Sequence, residues 1–437
     1  MASPSLPYLL GTARIDVTPP IGTHLAGYAA RLDPSTGIYH PLSCLITVLT
    51  DPRVDNTLII VSIEWLGFYE NTDRVRGIIQ MATGVPGDQV LLCGTHTHCG
   101  PPVRPSVDSK RHGGLDQAYL NDVFAEIGKA AARAMDSRRP AGNRSAQAWC
   151  GFAHSRRRPD GKGGVDWMPT LDAPHDHTVP LMIFEDESGE PVHILFGYAC
   201  HPTSAGPILE IGGDYVGFAM DRLQDEFGCT ASFLLGCAGD QKPYRPDPEN
   251  PAFPQYPTEV IREFGHQLAD AVTREIRYGQ PQNVTGPLAI NGRKLTLFSE
   301  AQSREVYQTA SEATEGYVRN WGEANLAVLD SGRNPDPRHC FEVQTIRFGE
   351  DLALVAMSGE MSAEYGLRLT RQHGRRFGQV WPVGYANHII GYVPVARQYP
   401  EGGYEVNGSM KHLLWPGPLA PDSEEQILAA IDGLLGY

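Results

Sequence analysis

Residues 90–101 read Val-Leu-Leu-Cys-Gly-Thr-His-Thr-His-Cys-Gly-Pro. Four apolar residues stop at a glycine, two alternating histidines follow, and a Gly-Pro turn closes the stretch. A short β-rich apolar run reads as a buried strand. The same pattern recurs along the chain. Leu58-Ile-Ile-Val-Ser-Ile63 stops at Glu64, and Val192-His-Ile-Leu-Phe196 leads to Cys200-His-Pro202. Ala231-Ser-Phe-Leu-Leu235 leads to Gly236-Cys-Ala-Gly-Asp240, Leu352-Ala-Leu-Val-Ala356 to Ser358-Gly-Glu360, and Val380-Trp-Pro-Val383 to Asn387-His388. Helical spacing lies between several of these runs: Tyr119, Val123 and Ile127 within 116–137, and Phe264, Leu268, Val272 and Ile276 within 259–277. A last helix opens on Ser423-Glu-Glu-Gln426, a capping-box pattern, and carries Ile427, Ile431 and Leu434. The alternation predicts an α/β (α+β) fold, a mixed β-sheet core with flanking helices. Ligands in such sheets collect beyond the carboxyl ends of strands. Any one polar ending can be an ordinary strand-to-loop transition; all of them together favour a shared site.

The 437 residues are 41% hydrophobic and 20% charged, which excludes general disorder and supplies a sizeable core. We expect one catalytic domain over 1–437, with a soft division near residue 285 into a lobe with His96 and His201 (1–285) and a lobe with Glu360 (286–437). Lys and Arg total 36 against 51 Asp and Glu, a formal charge of -15. That field repels nucleic acid and anionic lipid. Eight cysteines without a CxxC pair make neither a disulfide scaffold nor a cysteine zinc knuckle. The opening Met1-Ala-Ser-Pro-Ser-Leu-Pro7 does not read as a secretory leader, and no run of about 18 apolar residues exists. The expectation is a cytoplasmic protein with a small-molecule substrate, no nucleic acid and no stable membrane anchor; nothing in the sequence reads on oligomeric state.

The chemistry starts at His96 and His98. In an extended segment they point the same way, because the side-chain period is two; the alternative is a pair of histidines bonded to backbone. His201 follows an apolar strand, where an unpaired ring is costly. Glu360 follows another strand, and reads equally well as a carboxylate at the N-terminus of a helix over 361–372. Together His96, His201 and Glu360 form a two-imidazole, one-carboxylate set with an open position. That set suits hydrolytic zinc and also non-haem iron. Two loops flank the motifs. Residues 154–180 hold Ser155-Arg-Arg-Arg158 and His175-Asp-His177, and 243–257 hold six prolines, a pocket wall or a surface insertion.

These motifs resemble the neutral/alkaline non-lysosomal ceramidases. Gly94-Thr-His-Thr-His-Cys-Gly-Pro101, Gly213-Asp214-Tyr215, Gly239-Asp240 and Ser358-Gly-Glu360 occur in the family order, and Gly11-Thr-Ala-Arg-Ile-Asp-Val-Thr-Pro-Pro20 and Leu25-Ala-Gly-Tyr28 are similar too. The resemblance spans residues 10 to 410, approximately, and implies a ceramidase-type catalytic domain that hydrolyses an N-acyl amide with one zinc ion. It implies His96, His201 and Glu360 as ligands, His98 as a residue acting beside them, and Arg156 or Arg157 as the family's arginine. Two departures stand out. The family's ligand tyrosine falls on Ile389 in Asn387-His-Ile-Ile-Gly-Tyr392, so His388, Tyr392 or water is expected to replace it. The family's Gly-Asp-x-Ser-Pro serine is Lys242 in Gly239-Asp-Gln-Lys-Pro243. The family's C-terminal immunoglobulin-like β-sandwich and leader are not seen, and a soluble substrate other than ceramide is expected.

The expected reaction is attack of a zinc-bound water on an amide carbonyl. His98 or Lys242 supports the oxyanion or protonates the leaving amine. Asp214 and Asp240 hold an imidazole N–H or a lysine, and Arg156 or Arg157 binds a substrate carboxylate. Cys99, Cys200 and Cys237 are read as buried fillers. The competing readings are a metal-dependent esterase or lactonase and a non-catalytic ligand-binding protein on the same fold.

Overall fold

The six apolar runs are strands, at Asn56–Ile63, Val90–Gly94, Pro191–Tyr198, Thr230–Leu235, Leu352–Met357 and Gln379–Val383. The computed structural model describes residues 6–105, 114–247, 249 and 251–436. Readings that touch residues 1–5, 106–113, 248 and 250 lie outside them. Among the described residues a nine-stranded sheet runs Thr230–Leu235, Pro191–Tyr198, Thr178–Glu185, Arg139–Trp149, Tyr8–Asp16, Ser43–Asp51, Asn56–Ile63, Val90–Gly94, with Gln282–Asn283 pairing beside Arg139–Trp149. A second sheet runs Leu288–Phe298, Arg338–Phe348, Leu352–Met357, Gln379–Val383.

The strands read as continuous apolar runs because both of their faces are buried. In Asn56–Ile63, Ile59, Val61 and Ile63 face a cluster with Val75, Ile127, Val216 and Leu268 of the outer helices. Leu58 and Ile60 point the other way, to Ile346, Leu354 and Trp381 of the second sheet. The far face of that sheet repeats the arrangement: Ala353 and Val355 pack with Tyr365, Leu369, Ile427 and Ile431. The layers are therefore helices, sheet, sheet, helices. The change of sheet falls between Asn283 and Leu288, and both sides build the core between the sheets. Among the described residues no helix is long and apolar enough to cross a membrane.

The expected helices form at Gln117–Asp136, Thr258–Tyr278 and Ser423–Leu435. The capping box does not: the cap residue is Asp422, whose carboxylate accepts from the Gln426 side chain at 3.0 Å. Residues 154–180 contain a β-hairpin, Ala153–Pro159 with Val165–Thr170, and its first strand also pairs with Gln241–Pro243. Helices Arg304–Ser311 and Gly316–Asp330 lie outside the predicted elements and pack around Tyr307, Trp321 and Met410.

Candidate metal centre and its cavity

Three parallel strand pairs supply the site: Asn56–Ile63 with Val90–Gly94, Pro191–Tyr198 with Thr230–Leu235, and Leu352–Met357 with Gln379–Val383. The loops at their carboxyl ends are stitched together. Gly236 N donates to Tyr198 O at 3.0 Å, Gly384 N to Leu235 O at 3.0 Å, Tyr385 N to Gly359 O at 2.9 Å and Asn387 N to Leu92 O at 2.7 Å. Five non-glycine residues in the segments that follow these strands hold left-handed φ: His96 at 68°, Asp214 at 55°, Tyr385 at 55°, Asn387 at 53° and Tyr69 at 49°. Such strain persists where the surroundings dictate it, and it concentrates at functional sites.

His96 Nδ1 is bonded to Leu66 O at 2.7 Å, and His201 Nδ1 to Ala238 O at 2.6 Å. A carbonyl oxygen only accepts, so each Nδ1 carries the proton and each Nε2 presents a lone pair. Both Nε2 atoms converge on one oxygen, Glu360 Oε2, at 3.4 Å from His96 and 3.2 Å from His201. Glu360 stands on a short parallel bridge, Glu360–Met361 beside Tyr392–Val393; the next helix begins only at Ala363, so the carboxylate is not a helix-end charge. The predicted side-by-side display of His96 and His98 on an extended strand does not occur, because His96 turns left-handed. The two rings still come within 5.1 Å, centre to centre.

His98 is different. Ligand nitrogens of His96, His98 and His201 lie within 4.8 Å of one another, yet both ring nitrogens of His98 are buried without a hydrogen-bond partner. Its ring packs 4.9 Å from that of Tyr28. Burial, reinforced by the neighbouring imidazoles, pushes His98 well below the usual imidazole range, and burial pushes His201 down to about 4. Burial alone would raise Glu360, but the His96 and His201 rings outweigh it and hold the carboxyl well below its usual range. A dication is bound by ring nitrogens that offer a lone pair and by an ionised carboxylate. Metal-bound histidines almost always donate their other ring N–H to a fixed acceptor. His96 and His201 meet that test, and the donor set fits a zinc-type ion.

Two tyrosines flank the same nitrogen. The hydroxyls of Tyr392 and Tyr385 are each 3.3 Å from His201 Nε2. Tyr385 was not singled out from the sequence; its only signal is its place just past the strand Gln379–Val383. His388 turns away, with Nδ1 at 3.1 Å from Tyr69 O, and Ile389 fills the core. Of the two side chains expected to replace a ligand tyrosine, Tyr392 reaches the site and His388 does not.

The two arginines also separate. Arg156 lines the cavity over the rings of Trp167, Tyr392 and Tyr404, at 4.3, 5.2 and 5.5 Å, and its Nη2 is buried without a partner. Its Nε donates to Glu405 Oε1 at 2.7 Å. Arg157 is not among the cavity-lining residues; it donates to Glu405 Oε2 at 2.6 Å and Glu401 Oε2 at 3.0 Å. Lys242 lines the cavity, with Nζ donating to Thr203 Oγ1 at 2.8 Å and Thr203 O at 3.4 Å. Burial, then the Arg156 charge, lowers it to about 8.

Asp214 and Asp240 do not do what the sequence suggested. Neither binds an imidazole or a lysine; backbone carbonyls hold the rings. Asp214 accepts from the amides of Tyr215 (2.8 Å) and Ala205 (3.2 Å), bracing the loop after His201. Asp240 accepts from Ala363 N at 2.9 Å and Gln398 Nε2 at 3.1 Å, tying the Ala238–Gln241 turn under His201 to the segment after Glu360. Burial raises both carboxyls.

The cavity above these groups has a volume of about 950 Å³. Leu25, Leu66, Tyr69, Val103 and Leu413 give it apolar lining, and Tyr317 and Asn320 bring the helix Gly316–Asp330 into its wall. Residues 243–257 contribute none of its lining among those described; Tyr256 N instead bonds Ser204 O at 3.0 Å.

The fold is ceramidase-like. The chain is similar in structure to the neutral ceramidase from Pseudomonas aeruginosa, with a TM-score of 0.73 at 17% identity, covering 94% of this chain and 73% of that one. It is equally similar to a ceramidase complexed with C2, with a TM-score of 0.72 at 18% identity, covering 94% of this chain and 74% of that one. No family model matches the chain, and no curated protein matches it in sequence.

Proposed function

We propose that this protein is a zinc-dependent amidase that hydrolyses an N-acyl bond of a soluble small molecule, with His96, His201 and Glu360 holding one ion. The observation that carries this reading is the convergence of two fastened imidazoles on a single Glu360 oxygen, in a cavity of a ceramidase-like fold. A zinc ion held by His96, His201 and Glu360 would supply Lewis acidity and lower the pKa of a water toward neutrality. The chain's own groups do the rest. His98, free on both nitrogens and with its ring 5.1 Å from that of His96, is the group placed to carry a proton from the attacking water to the leaving amine. The unpartnered Nη2 of Arg156 donates to the carbonyl oxygen as that oxygen gains charge. Tyr392, beside His201 Nε2, orients the carbonyl from the same side. The rings of Trp167 and Tyr404 hold the guanidinium in place.

The test is amine release from a panel of N-acyl compounds, with matching esters and lactones. The native protein is expected to cleave the amides, His96→Ala to abolish turnover, and His98→Ala to lower kcat by about 10²–10⁴ with the metal retained. Turnover of esters or lactones alone would replace this reading with an esterase. Metal binding without turnover of any class would leave a ligand-binding protein.

A further inference from the structure

We propose that the substrate carries a carboxylate next to its scissile amide, and that Lys242 is the group that binds it, making the site one for N-acyl amino acids. The proposal rests on the amidase reading above and adds the substrate class.

The geometry begins with a strand pair. Gln241–Pro243 runs antiparallel to Ala153–Pro159, with Lys242 opposite His154, and Arg156 N bonds Asp240 O at 2.9 Å. Arg156 is two residues beyond His154, so Lys242 and Arg156 share one face of the pair. Both line the cavity. Lys242 Nζ is bound to Thr203, two residues past His201, and Thr203 N donates to His201 O at 2.9 Å. The ammonium is thereby fixed on the wall that carries a candidate ligand.

Among the described residues no carboxylate is hydrogen-bonded to it. The neighbouring guanidiniums share Glu405 and Glu401. Asp214, whose charge acts on Lys242 from a distance, gives its oxygens to the amides of Ala205 and Tyr215. Among the described residues no carboxylate forms an ion pair with Lys242. An ammonium has three N–H donors, and here the bonds it makes go to a single threonine. Apart from Thr203, the ammonium has the Phe253 ring 5.7 Å from Nζ, and a desolvated cation without a paired opposite charge is disfavoured. An incoming carboxylate supplies the charge and takes the remaining donor. In an N-acyl α-amino acid the carboxylate carbon is two bonds from the amide nitrogen, so an amide beside His201 brings its carboxylate to the same wall. The apolar lining from Leu25, Leu66, Val103 and Leu413 is left for the acyl chain.

The test compares N-hexanoyl-L-phenylalanine with its C-terminal carboxamide, the same shape without the charge. The ratio of kcat/KM for acid over amide is expected to be about 100 or more in the native protein and close to one in Lys242→Met. Lys242→Arg, which keeps the charge, should retain a ratio above about ten and guards against a variant that fails for want of folding. A native ratio near one, or a ratio that survives Lys242→Met, overturns the proposal and leaves the amidase reading standing. If neither compound is cleaved, titration calorimetry decides: acid bound at least tenfold more tightly than amide keeps the anion site while the amidase reading falls, and equal affinities overturn both.

Discussion

Replacing Glu405 by glutamine should cost this protein more stability than any other single change of a charged residue near the cavity. Glu405 is 3% exposed and takes one guanidinium on each oxygen, Arg156 at 2.7 Å and Arg157 at 2.6 Å, themselves 4% and 3% exposed. Glutamine keeps the shape and removes the charge. Arg157 retains Glu401, but Arg156 is left as a buried cation with no counter-charge. Breaking a buried pair in this way costs about 3–5 kcal/mol. Unfolding entropy near ~2 cal/mol/K per residue gives roughly 0.9 kcal/mol/K for a chain of this length, so the melting temperature should fall by about 4 °C. Burial would raise Glu405, yet the two guanidiniums outweigh it and hold the carboxyl below its usual range. Its contribution is therefore complete above the unfolded carboxyl's pKa and is lost as pH drops through the lower folded value, so native and variant curves converge in acid. Glu401→Gln is the control, since a half-buried partner of this kind is worth about 1 kcal/mol at most. Scanning calorimetry of both variants decides the matter. Equal melting temperatures for Glu405→Gln and the native protein, or equal losses in the two variants, would refute the argument.

Because Lys242 is lowered to about 8, KM for a carboxylate substrate should rise about tenfold per unit once the pH passes that value, and KM for the uncharged carboxamide should not. Gly27→Ala should lower kcat by more than about tenfold without loss of metal, because Gly27 has φ 97° and a β-carbon there would overlap His98; unaltered kcat would contradict the role given to that ring. Burial drives the thiols of Cys200 and Cys237 far up and that of Cys99 to about 12, while Cys340 is exposed. Iodoacetamide on the folded protein should label Cys340 and leave activity intact, and peptide mapping that finds label on Cys99, Cys200 or Cys237 would contradict the filler reading.

The strands were legible because each is buried on both faces, so Leu58–Ile63 and Leu352–Ala356 appear as unbroken apolar runs. His96, His201 and Glu360 were legible because each ends such a run. What stayed hidden depends on partners distant in sequence. The strand Ala153–Pro159 reads as a polar loop, since its arginines are buried only by virtue of Glu405, almost 250 positions away. Helices Arg304–Ser311 and Gly316–Asp330 bury few side chains, chiefly Tyr307, Ala310 and Trp321, so their apolar stripe is thin. The groups that orient the imidazoles are the carbonyls of Leu66 and Ala238, and a backbone carbonyl leaves no mark on residue identity. That is why Asp214 and Asp240, acidic and close in sequence, drew the assignment instead. Nor does sequence betray a left-handed turn at His96, Tyr385 or Asn387, where no glycine marks it.

The central claim is that His96, His201 and Glu360 hold one zinc ion while His98 stands beside it with its nitrogens free. Elemental analysis by mass spectrometry, after dialysis against trace zinc, tests this directly on the native protein and four variants. One zinc per chain is predicted for the native protein and for His98→Ala, with loss in His96→Ala, His201→Ala and Glu360→Gln. A native protein without bound metal, or one whose zinc survives Glu360→Gln and disappears in His98→Ala, would contradict the account.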